Sequence, residues 1–261
     1  MKIAVAGKGG VGKTTIAATL ARLMARDGYS VIAVDVDPSL NLATALGISE
    51  EDARRITPLS QNLELVRSRV GTSFGPLLNL SPRVDDVVER YGVVGPDGVV
   101  LLVMGTVRAG GAGCLCPENA FVRAMLSHLI LGRREVVILD MAAGLEHLGR
   151  GTAKGVDVML CVVEPGARAV EAASRIAELA RQIEVGEVAA VANKISRERE
   201  REFVERGLER AGIPLLATIP FDRAVQEADM AGAALLDYAP DCPAVSAIRT
   251  LERELVRRYV G

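Results

Sequence analysis

Residues 1–15 read MKIAVAGKGGVGKTT, and the reading of that stretch decides the fold. Lys2 to Ala6 is a short apolar run suited to a buried strand. Gly7-Lys8-Gly9-Gly10-Val11-Gly12-Lys13-Thr14 then fits G-x-x-x-x-G-K-[ST], and Thr15 to Ala25 continues with helical character. A strand, a glycine-rich turn and a helix start form the context in which this motif makes physical sense. Glycines let successive backbone N–H groups converge on an anion, and the helix dipole adds partial positive charge. The stretch therefore predicts a phosphate cradle in which Gly9, Gly10, Val11, Gly12, Lys13, Thr14 and Thr15 bind a nucleotide. In it the Lys13 ammonium reaches the β/γ-phosphates and the Thr14 hydroxyl ligates Mg²⁺.

Outward from this loop, apolar runs alternate with helical stretches, the pattern of a parallel sheet wrapped by helices. Strands are expected at Val31–Val34, Asn62–Val66, Val99–Val103, Glu135–Leu139, Val158–Val163, Val188–Ala192 and Leu215–Ile219. Helices are expected at Val84–Arg90, Arg168–Ile183, Arg197–Ala211 and Val245–Tyr259. The segment 71–98 carries several prolines and glycines and reads as a loop-rich insertion. Because strand-like sequence resumes after it on the same pattern, the expectation is a single α/β domain over residues 1–261, a mostly parallel central sheet with helices on both faces.

Composition bounds the function. At 261 residues and 49% hydrophobic content the chain can bury a large core, and a net charge of −2 supplies no basic field for nucleic acid. No stretch is long and apolar enough for a membrane span, and the first residues enter a strand rather than a signal peptide, so a cytoplasmic protein is expected. Its four cysteines are too few and too uneven for a disulfide scaffold.

Ligands of open α/β sheets gather beyond the carboxyl ends of the strands, and acidic residues fall there. Asp140 follows the apolar run Val136 to Leu139, the arrangement that presents a carboxylate to Mg²⁺. Asp35 and Asp37 end an earlier strand; Asp35 is assigned to the Mg²⁺ shell, with a turn- or helix-capping role as the alternative. Gly144, four residues past Asp140, could bind the γ-phosphate through its N–H and sense its loss, making Asp140 and Gly144 switch positions. Asn193-Lys194-Ile195-Ser196 lacks the aspartate of the guanine-reading N-K-x-D pattern, while the Asn193 amide can pair with an adenine edge. ATP is therefore favoured over GTP.

Cys114-Leu115-Cys116 follows a glycine-rich approach and precedes Pro117, so the thiols fall at a loop or helix start where N–H groups stabilise thiolate. Two thiolates cannot close a tetrahedral site, but a two-fold dimer brings four together for Zn²⁺ or, flattened, Ni²⁺. Two buried small residues or a redox pair are the other readings. Cys161 reads as core, and Cys242 has no evident partner.

Lys8 is a second lysine in the loop, in a chain where only five of 31 basic residues are lysines. KGGVGKTT resembles the deviant phosphate loop of the MinD/ParA/nitrogenase-iron-protein ATPases. Together with DVDP, MGT…GGAGCLCPEN and DMAAGLEHLGRGT, it resembles more narrowly the CooC-type ATPases, nickel-insertion accessory proteins of carbon monoxide dehydrogenase. The resemblance implies catalytic roles for Lys8, Lys13 and Asp37, with Lys8 reaching the partner's nucleotide and Asp37, as the switch I aspartate, orienting the attacking water. It also implies that Pro220, Phe221 and Asp222 pack beside the adenine, that Lys194 joins Asn193 at the nucleotide, and that Cys114 and Cys116 of each protomer hold the metal. The implied assembly is a homodimer serving a client nickel enzyme. Ala142 departs from the pattern, which has an acidic residue in that slot. Alternatives are an iron–sulfur cluster carrier and a MinD- or ParA-like positioning ATPase. Against the last two, the C-terminal helix mixes Glu252 and Glu254 with arginines, and glutamates interleave the arginines of 197–210.

Overall fold

The computed structural model describes residues 1–36, 41–70, 86–105, 134–141, 155–183 and 185–260. Among the described residues, eight strands form one sheet in the order β3-β4-β2-β5-β1-β6-β7-β8. They are β1 (Lys2–Gly7), β2 (Ser30–Asp35), β3 (Val93–Val94), β4 (Val100–Val103), β5 (Glu135–Asp140), β6 (Val158–Val163), β7 (Glu187–Ile195) and β8 (Leu215–Pro220). Every pairing is parallel except β3 with β4. The helices are α1 (Lys13–Arg26), α2 (Asn41–Leu46), α3 (Glu50–Arg55), α4 (Leu63–Val70), α5 (Val87–Tyr91), α6 (Ala167–Gln182), α7 (Glu198–Arg210), α8 (Arg223–Met230), α9 (Leu235–Tyr238) and α10 (Pro243–Tyr259).

The pleat divides the core. On β1, Ile3 and Val5 point to one layer with Ile16, Leu20 and Met24 of α1, Leu42 of α2 and Ile248 and Leu251 of α10. Ala4 and Ala6 point to the other, with Ala173 and Ile176 of α6 and Val204 and Leu208 of α7. Strands buried on both faces need continuous apolar sequence, and β6, VMLCVV, is buried throughout. Residues Val245, Ile248, Leu251 and Leu255 of α10 face the sheet, as the amphipathic reading requires. Among the described residues no helix is long and apolar enough to cross a membrane.

Two expectations are corrected. Asn62–Val66 is not a strand: Asn62 Oδ1 accepts the Leu65 N–H at 3.0 Å and starts α4. Leu65 and Val66 are adjacent and both buried, which suits a helix edge and not the alternation of a strand. In 71–98, whose residues 71–85 lie outside the described part, regular structure appears where loop was expected. After α5 the chain makes β3, a single turn over Pro96–Gly98, and β4, closed by the Gly95 N–H donating to Val99 O at 2.8 Å.

Candidate functional site

The loop lies at the carboxyl end of β1, between β5 and β6, where the sheet positions its neighbours in register. Gly12 is the α1 N-cap with φ 98°, and a Cβ there would meet Asn193 Nδ2 at 2.5 Å. Only glycine turns the chain into the helix at this close approach. Lys13 is buried and its Nζ donates to Lys8 O at 3.3 Å, while the Lys8 side chain is exposed.

Behind the loop, the first turn of α1 meets the carboxylate of Asp140, and Asp35 lies beside it. Thr14 Oγ1 donates to Asp140 Oδ2 at 2.7 Å, joining the loop to the end of β5. Asp35 is the in-register neighbour of Asp140 on β2, so both carboxylates point to the α1 side; they are 0% and 1% exposed. Asp35 Oδ2 also accepts the Leu42 N–H at 3.2 Å, so it supports the first turn of α2, the capping role given as its alternative. Burying two carboxylates together is costly in a low dielectric, and a divalent cation offsets that cost. A hydroxyl and two carboxylates form the all-oxygen donor set that a hard cation prefers, so these residues fit Mg²⁺.

From the other flank, β7 contributes consecutive residues. Asn193 Nδ2 donates to Val11 O at 2.7 Å, and Lys194 Nζ donates to Gly10 O at 2.6 Å. Lys194 also bonds Glu164 Oε2 at 3.2 Å, just beyond β6. Glu164 was not legible as a site residue, since nothing local to it suggests the lysine it meets. A cleft of about 300 Å³ opens beside Thr14 and Thr15 and runs between α2 and α8, past Asn41, Thr44, Val225 and Asp229.

Pro220 and Phe221 lie where β8 ends, and Phe221 is 45% exposed. Asp222 is engaged in the fold: Oδ1 accepts the Ala224 N–H and Oδ2 the Ala244 N–H, both at 3.0 Å, starting α8 and α10. Burial pushes its carboxyl up, but those two N–H groups, together with the Cys242 thiol, outweigh it and hold it below the ordinary value. Cys161 is core, as expected, and burial pushes its thiol up to about 12. Among the described residues no group of three or more His, Cys, Asp or Glu could hold a metal. Asp37, Cys114, Cys116 and Gly144 lie outside the described residues.

A second network was not anticipated. Arg22, 3% exposed on α1, bonds Asp97 at 2.6 Å and Asp237 of α9 at 2.6 and 2.8 Å. It also donates to Leu46 O at 3.3 Å.

Residues 2–236 match the model of the CobQ/CobB/MinD/ParA nucleotide binding domain. The carbon monoxide dehydrogenase accessory protein CooC of Rhodospirillum rubrum is 45% identical, covering 93% of this chain and 92% of that protein. An uncharacterised ATP-binding protein of Methanocaldococcus jannaschii is 42% identical over 89% of this chain and 90% of its own length. Among solved structures, the septum site-determining protein MinD of Pyrococcus horikoshii, in complex with Mg-ADP, superposes with a TM-score of 0.70 at 20% identity, over 97% and 95% of the two chains.

Proposed function

The chain belongs to the CobQ/CobB/MinD/ParA nucleotide-binding family, and from that premise we propose an Mg²⁺-dependent ATPase that works as a metallochaperone for a nickel enzyme. The 2.7 Å bond between Thr14 and Asp140 carries the ATPase reading, because it joins the phosphate loop to a buried strand-end carboxylate. Glycines 9, 10 and 12 and Lys13 cradle the phosphates, and Thr14, Asp140 and Asp35 hold the ion. Mg²⁺, when bound, neutralises charge on the phosphate oxygens. Asp37 orients the attacking water, and Gly144 registers the γ-phosphate. The Asn193 amide, with Pro220 and Phe221, faces the adenine. Exposed Lys8 reaches the nucleotide of a second protomer, so ATP draws a homodimer together in the cytoplasm.

The 45% relative, by its name an accessory protein of carbon monoxide dehydrogenase, supports that enzyme as the client. Cys114 and Cys116 of two protomers then form a four-sulfur site whose Ni²⁺ or Zn²⁺ is cargo, and ATP turnover changes its affinity by reshaping the interface.

The test combines ATP hydrolysis with metal titration and gel filtration, with and without nucleotide. The wild-type chain should hydrolyse ATP only with Mg²⁺ and bind about one metal ion per two chains. The Cys114→Ser/Cys116→Ser variant should keep hydrolysis and lose the metal. Unchanged metal stoichiometry in that variant would refute the metal role. A chromophoric cluster after anaerobic reconstitution with iron and sulfide would replace it with iron–sulfur transport.

A further inference from the structure

We infer that Lys194, braced by Glu164, is a positioning residue that sets the orientation of the phosphate-loop amides and does not itself read the base. The inference rests on the nucleotide-binding reading above and sharpens it.

In a trans peptide the C=O of one residue and the N–H of the next lie in one plane and point in opposite directions. A donor that captures a loop carbonyl therefore aims the following N–H the other way. Three carbonyls of this loop are captured by side chains: Lys8 O by Lys13, Gly10 O by Lys194 and Val11 O by Asn193. Those bonds fix the N–H groups of Gly9, Val11 and Gly12. The Lys194 bond, at 2.6 Å, comes from a charged donor, the stronger class of hydrogen bond.

Lys194 reaches the loop only by departing from strand geometry. Successive side chains of a strand point to opposite faces, so Asn193 and Lys194 would ordinarily face away from each other. Here Lys194 has φ 60°, a left-handed conformation rare outside glycine, and the β7–β8 register shifts between Ala192 and Ile195. An irregularity of this kind re-aims a side chain. It brings two consecutive residues onto consecutive carbonyls, Val11 and Gly10. Glu164 fixes the ammonium from the adjoining strand end at 3.2 Å. Strain of this kind is retained where the surrounding structure over-determines it, and here the gain is a pre-set anion cradle.

The test uses Lys194→Ala, Lys194→Arg and Glu164→Gln in the full chain, with binding of ADP, inorganic tripolyphosphate and adenosine measured by calorimetry and ATP hydrolysis followed in parallel. Lys194→Ala should weaken ADP and tripolyphosphate alike, by about tenfold for loss of a charge-assisted bond, and leave adenosine unchanged. Glu164→Gln should show the same pattern with a smaller loss, and Lys194→Arg should recover most of the binding. Adenosine binding lost with Lys194→Ala would make Lys194 a base ligand and overturn the inference, as would unchanged tripolyphosphate binding. A wild-type chain that binds ADP without hydrolysing it would count against the ATPase reading and leave this test intact.

Discussion

Replacing Gly12 by alanine tests how the loop is held, and its cost can be worked from two contacts. Gly12 has φ 98°, where an L-side chain is penalised by roughly 1–2 kcal/mol. The new Cβ would lie 2.5 Å from Asn193 Nδ2, which is held 2.7 Å from Val11 O. The amide must swing away, at a further cost of about 1 kcal/mol for the lost bond. Gly12→Ala should therefore destabilise the chain by about 2–3 kcal/mol, read from urea unfolding without nucleotide. The decisive measurement is the double-mutant cycle with Asn193→Ala. Without the amide there is no clash, so Gly12→Ala in that background should cost only the backbone penalty, a coupling of about 1 kcal/mol. Strictly additive costs would refute the contact as the cause and leave backbone conformation as the whole effect.

Two further predictions concern titration. Burial pushes the Asp97 carboxyl up, but the Arg22 and Arg26 guanidiniums outweigh it and hold it below 3.8. A depressed carboxylate stabilises the fold above its unfolded value and loses that contribution as pH falls through the folded one. Asp97→Asn, which tolerates the same φ of 57°, should lower the urea midpoint at pH 7 by the equivalent of about 1–2 kcal/mol. The difference should vanish in acid below both values, and a pH-independent difference would contradict this account. Glu252 behaves oppositely: burial raises its carboxyl above 4.5 despite Arg249, and its Oε1 meets no hydrogen-bond donor among the described residues. Its ionisation therefore costs the folded state stability as pH rises from 4.5 through the folded value. Glu252→Gln should stabilise the chain at pH 8 by about 1 kcal/mol, with the gain fading toward pH 4; a loss of stability at pH 8 would show that the carboxylate is a net benefit.

What could be read from the sequence was what local chemistry encodes. The strand, turn and helix over residues 1–26 follow from glycine placement and apolar runs, and Asp140 was legible because it closes a buried run. α4 was misread because Leu63, Leu65 and Val66 satisfy either period over so short a span, and only the capping bond of Asn62 decides for the helix. β3 escaped because two valines beside a glycine carry no period; its pairing depends on the tight turn that follows. The Lys194 contact with Gly10 was hidden for another reason. It requires a left-handed residue at the end of a strand, which a lysine does not advertise.

Arg22 gives α1 a property beyond stability. The helix that begins at Lys13 is tied, nine residues on, to a turn beside β4 and to α9. At about 1.5 Å per residue the tether sits roughly 13 Å along α1 from Lys13. Sliding or rolling α1 by a fraction of a turn would strip a buried guanidinium of its carboxylates. The helix is therefore held fast at this point, and in the reading proposed above a nucleotide cycle would act through the segments around α1 and not by displacing α1 itself.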